Sequence, residues 1–218
     1  MCNLYSQVKG QAAIVALTKA MHDRTGNLPP QPSIFPDQLA PIVRKTADGR
    51  ELLNARWGLP TPEPKPGEKK KSGYQTNIRQ PRWKQWLPWM EPEYRCLVPV
   101  SSFSEYDHAT TPPTVTWFAQ NAERDLFCFA GVWMPWTGKR GTKANPAEGD
   151  HHLFSFLTTS PNAVVGPVHP KAMPVCLLTE EDRETWLNAP LSEALALQRP
   201  APDSAIRIVA TGSKQDPA

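Results

Sequence analysis

The sequence predicts an α+β fold: a compact single domain of antiparallel β-sheets with a few short helices at its periphery. Three observations lead there. Runs of aromatic and branched residues separated by turn clusters outnumber the helical stretches. The 25 prolines and 12 glycines break long helices and central strands. No repeat or composition break divides the 218 residues, a length that buries a core without staples.

Residues 9–22 place Ile14, Val15, Leu17 and Met21 at helical spacing and are predicted as the first helix. A turn-rich linker over 24–32 leads to short strands at 33–35 and 41–45, the second ending at the Asp48-Gly49 turn, and then to a strand at 51–59. Residues 60–73 are rich in proline, lysine and glycine and predict an exposed loop, its lysines within 65–71. Trp83, Trp86 and Trp89 recur every three residues, with Pro81 ahead of the run and Pro88 within it, which fits one face of a short helix or an aromatic-rich turn. The second half predicts strands at 94–100, 114–118, 126–133 and 152–159, with a second exposed, hydrophilic loop at 139–150. A short apolar strand at 173–178 precedes a helix from Thr179 to Leu187. Asp182 stands there in capping-box position. Residues 205–210 close the chain as a last strand.

Composition narrows the function classes. No apolar run approaches the ~20 residues of a membrane span. The opening MCNLYSQVKGQ lacks the basic and apolar regions of a secretory signal, so a cytoplasmic protein is expected. Cys2, Cys96, Cys128 and Cys176 form no CxxC pair, which predicts free thiols and no metal site. No GxGxxG, P-loop or GxSxG is present, so neither a nucleotide cofactor nor any other cofactor is expected. A net charge of +3 permits a nucleic-acid partner without requiring one.

Cys2 stands directly behind the initiator methionine. Trimming of Met1 leaves an α-amine and a thiol on one residue, with ordinary pKa values of roughly 7.7–8.0 and 8.5. The amine condenses with an aldehyde to an imine, and the thiol closes on the imine carbon as a five-membered thiazolidine. Position alone also fits a frayed terminus. Three further segments carry chemistry. Thr76-Asn77-Ile78-Arg79 offers an amide and a phosphate-seeking guanidinium, or ordinary turn chemistry. Glu105, between Ser104 and Tyr106 and close to Phe103, predicts a partly desolvated carboxyl suited to proton transfer, or an exposed strand end. His169 lies between Val168 and Pro170 in a stiff turn before an apolar strand, placed for function or for packing.

In this order the segments resemble the SRAP (SOS-response-associated peptidase) family, whose members cross-link abasic sites in single-stranded DNA. The resemblance runs through Met1-Cys2, the Ala55-Arg56-Trp57-Gly58-Leu59 strand, Asn77-Ile78-Arg79, and Arg95-Cys96-Leu97-Val98-Pro99 leading to Phe103-Ser104-Glu105. It continues in Phe129-Ala130-Gly131-Val132-Trp133, Leu157-Thr158-Thr159 and the His169 turn ending in Met173-Pro174-Val175. It implies antiparallel sheets that curl toward a barrel, and Cys2 as nucleophile with Asn77, Glu105 and His169 around it. Abasic single-stranded DNA is the implied partner, reached by imine and then thiazolidine, with AP-lyase potential and removal of Met1. Arg56, Arg79 and Arg82 are candidates for phosphate, and Trp57 and Tyr106 for base stacking, with a core aromatic as the other reading of Trp57. A monomer is expected. The chain departs from the family pattern in Asn3-Leu4, in Lys69–Gly73 where an aromatic wedge is usual before Asn77, and in Pro170-Lys171-Ala172. Other readings are a cysteine-dependent peptidase pairing Cys2 with His169, and a non-covalent single-strand binding module.

Overall fold

The computed structural model describes residues 2–61 and 73–218. The predicted loop at 60–73 and its lysines therefore lie almost wholly outside the described residues.

In chain order the first elements are β1 (Tyr5–Gln7), α1 (Gln11–Thr18), β2 (His22–Asp23), β3 (Gln31–Ile34), β4 (Leu39–Thr46), β5 (Gly49–Trp57) and β6 (Leu59–Pro60). Then come β7 (Tyr74–Gln75), β8 (Asn77–Ile78), β9 (Arg95–Val100), β10 (Ser102–Asp107), β11 (Thr114–Ala119), β12 (Phe127–Gly141) and β13 (Pro146–Thr159). β14 (Met173–Pro174), β15 (Cys176–Leu177), α2 (Glu180–Asn188), α3 (Leu191–Ala196) and β16 (Arg207–Thr211) complete the order.

Two sheets enclose the core. β4 pairs with β5 and β9, β9 with β12, and β12 with β13, all antiparallel. β13 then returns to β5 in parallel, Leu153 opposite Arg56 and Phe154 opposite Trp57, which closes the ring into a small barrel. The second sheet runs β16-β11-β10-β1-β3, antiparallel throughout. Their facing surfaces share one aromatic core, with Tyr5 edge-on to Trp57 at 5.1 Å and Phe103 against Phe129 at 6.0 Å between ring centroids. The fold is thus the α+β, barrel-forming antiparallel architecture that the sequence and its resemblance imply.

Several elements differ from expectation, each for a local reason. α1 stops at Thr18 because Lys19 turns left-handed (φ 55°) and the Thr18 hydroxyl donates back to Ile14 O at 2.7 Å. Met21 is left exposed. The tryptophan run is a turn with one 3-10 turn at Leu87–Met90, burying Trp86 and exposing Trp83. Residues 139–150 are not a loop: β12 and β13 pair in register out to Gly141 opposite Pro146. That hairpin tip is hydrophilic because most of its side chains are exposed, while its backbone groups are satisfied across the ladder. α3, β1 and β10 have no counterpart among the elements the sequence predicts. The capping box at α2 forms, with Asp182 N–H donating to Thr179 Oγ1 at 3.0 Å and Thr179 N–H to Asp182 Oδ2 at 3.2 Å.

Candidate functional site

Four elements bring Cys2, Asn77, Glu105 and His169 to one place. The antiparallel β1–β10 pairing sets Tyr5 opposite Phe103 and Ser6 opposite Ser102, and continues as Ser104 N–H donating to Leu4 O at 3.0 Å. Cys2 therefore runs back along β10 toward Glu105, and its Sγ lies 3.5 Å from Leu4 O and 3.9 Å from Ser104 O. β8 pairs in parallel with β13, Asn77 opposite Phe156, and Asn77 Nδ2 donates to Cys2 O at 2.8 Å. The same Nδ2 also donates to Thr76 Oγ1 at 2.9 Å, and Thr76 Oγ1 donates to Asn3 Oδ1 at 3.1 Å. Thr76 and Asn3 thus tie the arm that carries Cys2.

His169 is delivered by a compact turn. Asn162 Oδ1 accepts from Val164 N–H at 3.2 Å and Val165 N–H at 2.9 Å. Val165 O accepts from Val168 N–H at 3.1 Å and His169 N–H at 2.8 Å. This places His169 Nδ1 at 3.6 Å from Glu105 Oε2.

Burial sets the protonation states. Glu105 is 3% exposed, and desolvation pushes its carboxyl from 4.5 up to about 7. Desolvation pulls His169 from 6.5 down to about 4. At neutral pH the imidazole is therefore uncharged and Glu105 is divided between its two forms, so their contact is not an ion pair. The Cys2 thiol is held well above its ordinary value, first by complete burial and then by the Glu105 charge. A thiol held in this way becomes nucleophilic only where an acceptor takes its proton. Asn77 Oδ1 and Glu105 Oε1 are buried with no hydrogen-bond partner among the described residues.

Two clefts flank this group. One, of about 430 Å³, is lined by Asn3, Phe35, Pro36, Tyr74, Thr76 and Tyr106. The other, of about 520 Å³, is lined by Asp107, His108, Pro167, His169, Pro170 and Lys171. Tyr74 supplies an aromatic ahead of Asn77 that the sequence pattern does not mark. It lies three residues upstream, and Arg140 covers its ring at 3.7 Å from the guanidinium carbon. Arg140, from the hairpin tip read as a loop, is nearly buried and donates to Asp37 Oδ1 at 2.9 Å and Gly58 O at 2.8 Å.

The remaining sequence candidates divide. Trp57 is a correction: it is fully buried, stacked on Phe156 at 5.3 Å and Phe154 at 6.4 Å, and donates from Nε1 to Thr76 O at 3.0 Å. It is a core aromatic that supports the strand before Asn77 and cannot stack on a base. Arg56 turns to Asp37, donating from Nη1 to its backbone oxygen with the carboxylate 4.0 Å away, so it is no free surface cation. Arg79 is exposed and donates to Ser160 Oγ at 3.1 Å. Arg82 is exposed. Tyr106 is half-buried in the aromatic cleft. Among the described residues no group of His, Cys, Asp and Glu could hold a metal ion, and no helix is long and apolar enough to cross a membrane.

Known proteins extend this picture. The family model for "SOS response associated peptidase (SRAP)" matches residues 1–214. The abasic site processing protein YoqW of Bacillus subtilis is 28% identical over 166 residues, covering 75% of this chain and 69% of its own. YobE of the same organism, also named an abasic site processing protein, is 26% identical over 167 residues, 75% of this chain and 70% of its own. A crystal structure of a Bordetella bronchiseptica protein superposes with a TM-score of 0.73 at 19% identity, covering 97% of this chain and 98% of that one. One from Bacteroides thetaiotaomicron does so with a TM-score of 0.73 at 20% identity, covering 99% and 97%. These two likenesses concern the fold alone.

Proposed function

The chain belongs to the SRAP family, and on that premise we propose that it processes abasic sites in DNA by covalent capture at Cys2. The observation that carries the reading is the convergence of Cys2, Asn77, Glu105 and His169, with Glu105 at about 7 beside a neutral His169.

The reaction starts once Met1 is removed and the Cys2 amine is free. An abasic deoxyribose is mostly a closed hemiacetal, and His169 assists its opening to the aldehyde. The amine adds to C1′ to give a carbinolamine, and protonated Glu105 gives a proton to the departing hydroxyl, releasing one water and leaving the iminium. The Cys2 thiol then adds to the same carbon, and its proton passes to the Glu105 carboxylate. Glu105 thus ends in its starting form, and the net change is loss of one water. Asn77, on Cys2 O, fixes the angle of attack. From the iminium, loss of the 3′ phosphate by β-elimination is the competing path, and ring closure suppresses it. Each proton transfer contributes typically ~10²–10⁴-fold. Arg79 and Arg82 face phosphate, and Tyr106 with Tyr74 and Phe35 offers aromatic faces to an unpaired base.

The alternative of a thiolate–imidazolium peptidase pair has less support, because burial raises the Cys2 thiol and lowers His169, opposite to what that pair requires.

Incubation with an oligonucleotide bearing one abasic site, resolved on a denaturing gel, tests the reading. Wild type should give a heat-stable shifted band, single-stranded substrate reacting at least about tenfold faster than duplex because exposing the sugar costs unstacking. Cys2→Ala should give no such band. Protein whose intact mass still includes Met1 should also give none. A stable band from Cys2→Ala at wild-type yield refutes the proposal.

A further inference from the structure

Beyond the reacting groups, the two strands that carry Cys2 and Glu105 are joined at their other end. Ser6 on β1 and Ser102 on β10 face each other with their hydroxyl oxygens 2.7 Å apart. Both hydroxyls reach one oxygen, Asp216 Oδ2: Ser6 Oγ donates at 3.2 Å, and Ser102 Oγ donates as well. The side chain of Asp216 is fully buried, and it arrives in the segment after β16, where its N–H donates to Pro32 O at 2.9 Å. Arg124 saturates the carboxylate from the far side, donating from Nε to Oδ1 and Oδ2 at 3.2 Å and from Nη2 to Oδ1 at 3.0 Å. Arg124 does so from a left-handed backbone (φ 59°), a conformation that persists only where surrounding contacts hold it. Its Nη1 is anchored on Ala122 O at 2.7 Å. The family match ends at residue 214, short of Asp216.

We propose that Asp216 is a positioning residue: a buried carboxylate strap that locks β1 to β10 through Ser6 and Ser102 and so holds Cys2 at attacking distance from the sugar that Glu105 serves. This rests on the assignment of Cys2 as nucleophile. The β1–β10 ladder is short, with register pairs only at Tyr5–Phe103 and Ser6–Ser102. Cys2 is four residues upstream of Ser6, roughly 13 Å of extended chain, and Glu105 is three residues downstream of Ser102, roughly 10 Å. Asn77 and Thr76 tie this arm at Cys2 and Asn3, and a terminal arm on so short a ladder needs a second fixed point at its other end. Misplacement by about 1 Å is enough to cost a reaction that depends on alignment about 10²-fold. The strap fixes both strands by one oxygen, so sliding of one against the other breaks two hydrogen bonds to a buried anion.

The decisive variant is Ser6→Ala/Ser102→Ala, which unhooks the strands while leaving the Arg124–Asp216 pair intact; Asp216→Asn is its companion. Both are assayed where circular dichroism shows them fully folded and intact mass shows Met1 removed. At saturating abasic single strand, the first-order rate of adduct formation should fall at least about tenfold. Affinity for a single strand carrying an unreactive tetrahydrofuran site should stay within about twofold, because phosphate and stacking contacts lie elsewhere. A Ser6→Ala/Ser102→Ala rate within about twofold of wild type overturns the proposal. If wild type forms no adduct, the covalent reading has failed, and the strap is judged in DNA-free protein from the Glu105 carboxyl titration followed by carbon NMR. A midpoint falling from about 7 toward 4.5 in the variant supports the strap, since a loosened strand pair admits water to Glu105, and an unmoved midpoint overturns it.

Discussion

Strands β1 and β10 carry a buried polar cluster at each end, and the two are built on opposite terms. Around Asp216 the carboxylate is saturated by Arg124, Ser6 and Ser102. Around Cys2, Glu105 Oε1 and Asn77 Oδ1 are buried without partners among the described residues, and Glu105 faces a histidine that stays uncharged. An unmet buried polar atom costs about 1–3 kcal/mol. A structural cluster has no reason to carry that cost, and Asp216 does not. On the proposed reading the second cluster gains from it, because the idle lone pairs and the displaced pKa values are available to a bound sugar. The same two strands therefore hold one cluster that stabilises the protein and one that strains it.

The largest expected effect comes from breaking the saturated cluster. Arg124→Ala strands Asp216 as a buried anion and should cost about 3–5 kcal/mol in urea unfolding. A loss below about 1 kcal/mol would erase the distinction between the clusters.

Removing the charge at the strained end should have the opposite sign. The folded-state pKa of Glu105 is raised from 4.5 to about 7, so the folded protein loses stability as pH rises through that window. Glu105→Gln, which has no charge to bury, should be more stable than wild type by about 3 kcal/mol at pH 8 and nearly equal to it at pH 4.5. Adduct formation should slow at the same time. A variant less stable than wild type at pH 8 breaks the comparison.

His169 should show the acid counterpart at smaller size. Its folded pKa is lowered from 6.5 to about 4, so folding loses stability as pH falls through that window. The stability of His169→Ala, measured against its own value at pH 8, should fall less than wild type by pH 5, by at most about 2 kcal/mol because solvent screens part of the shift. Parallel profiles for the two proteins would mean that His169 is not held neutral.

The smallest effect belongs to Tyr5, midway between the clusters, whose buried hydroxyl has no partner among the described residues. Tyr5→Phe should change stability by no more than about 1 kcal/mol, upward if at all, and leave the adduct rate unchanged. A slowed adduct rate would add Tyr5 to the catalytic end.

Legibility followed range. The α2 cap, the Asp48-Gly49 turn and most strand cores were readable, because each depends on residues a few positions apart. The four candidate residues were nameable through their motifs, but nothing in local pattern tells a core tryptophan at a strand end from a stacking one. Trp57 was settled by Phe154 and Phe156 from β13, about a hundred positions away. The 139–150 hairpin lacks a readable signal because its inward positions are filled by Arg140 and by glycines, so the apolar alternation that marks a half-buried strand is absent.

By itself the sequence determined the chemistry available: an amine and a thiol on Cys2 once Met1 is gone, a carboxyl among aromatics, a histidine in a stiff turn, and an antiparallel architecture cut short by proline. Only the tertiary structure decided the states of those groups. Glu105 rises toward 7 and His169 falls toward 4 because strands distant in sequence close over them and remove water. Asp216 joins the site's scaffold because the segment after β16 folds back onto β1 and β10. Desolvation depends on everything packed around a group, which no short stretch of chain encodes.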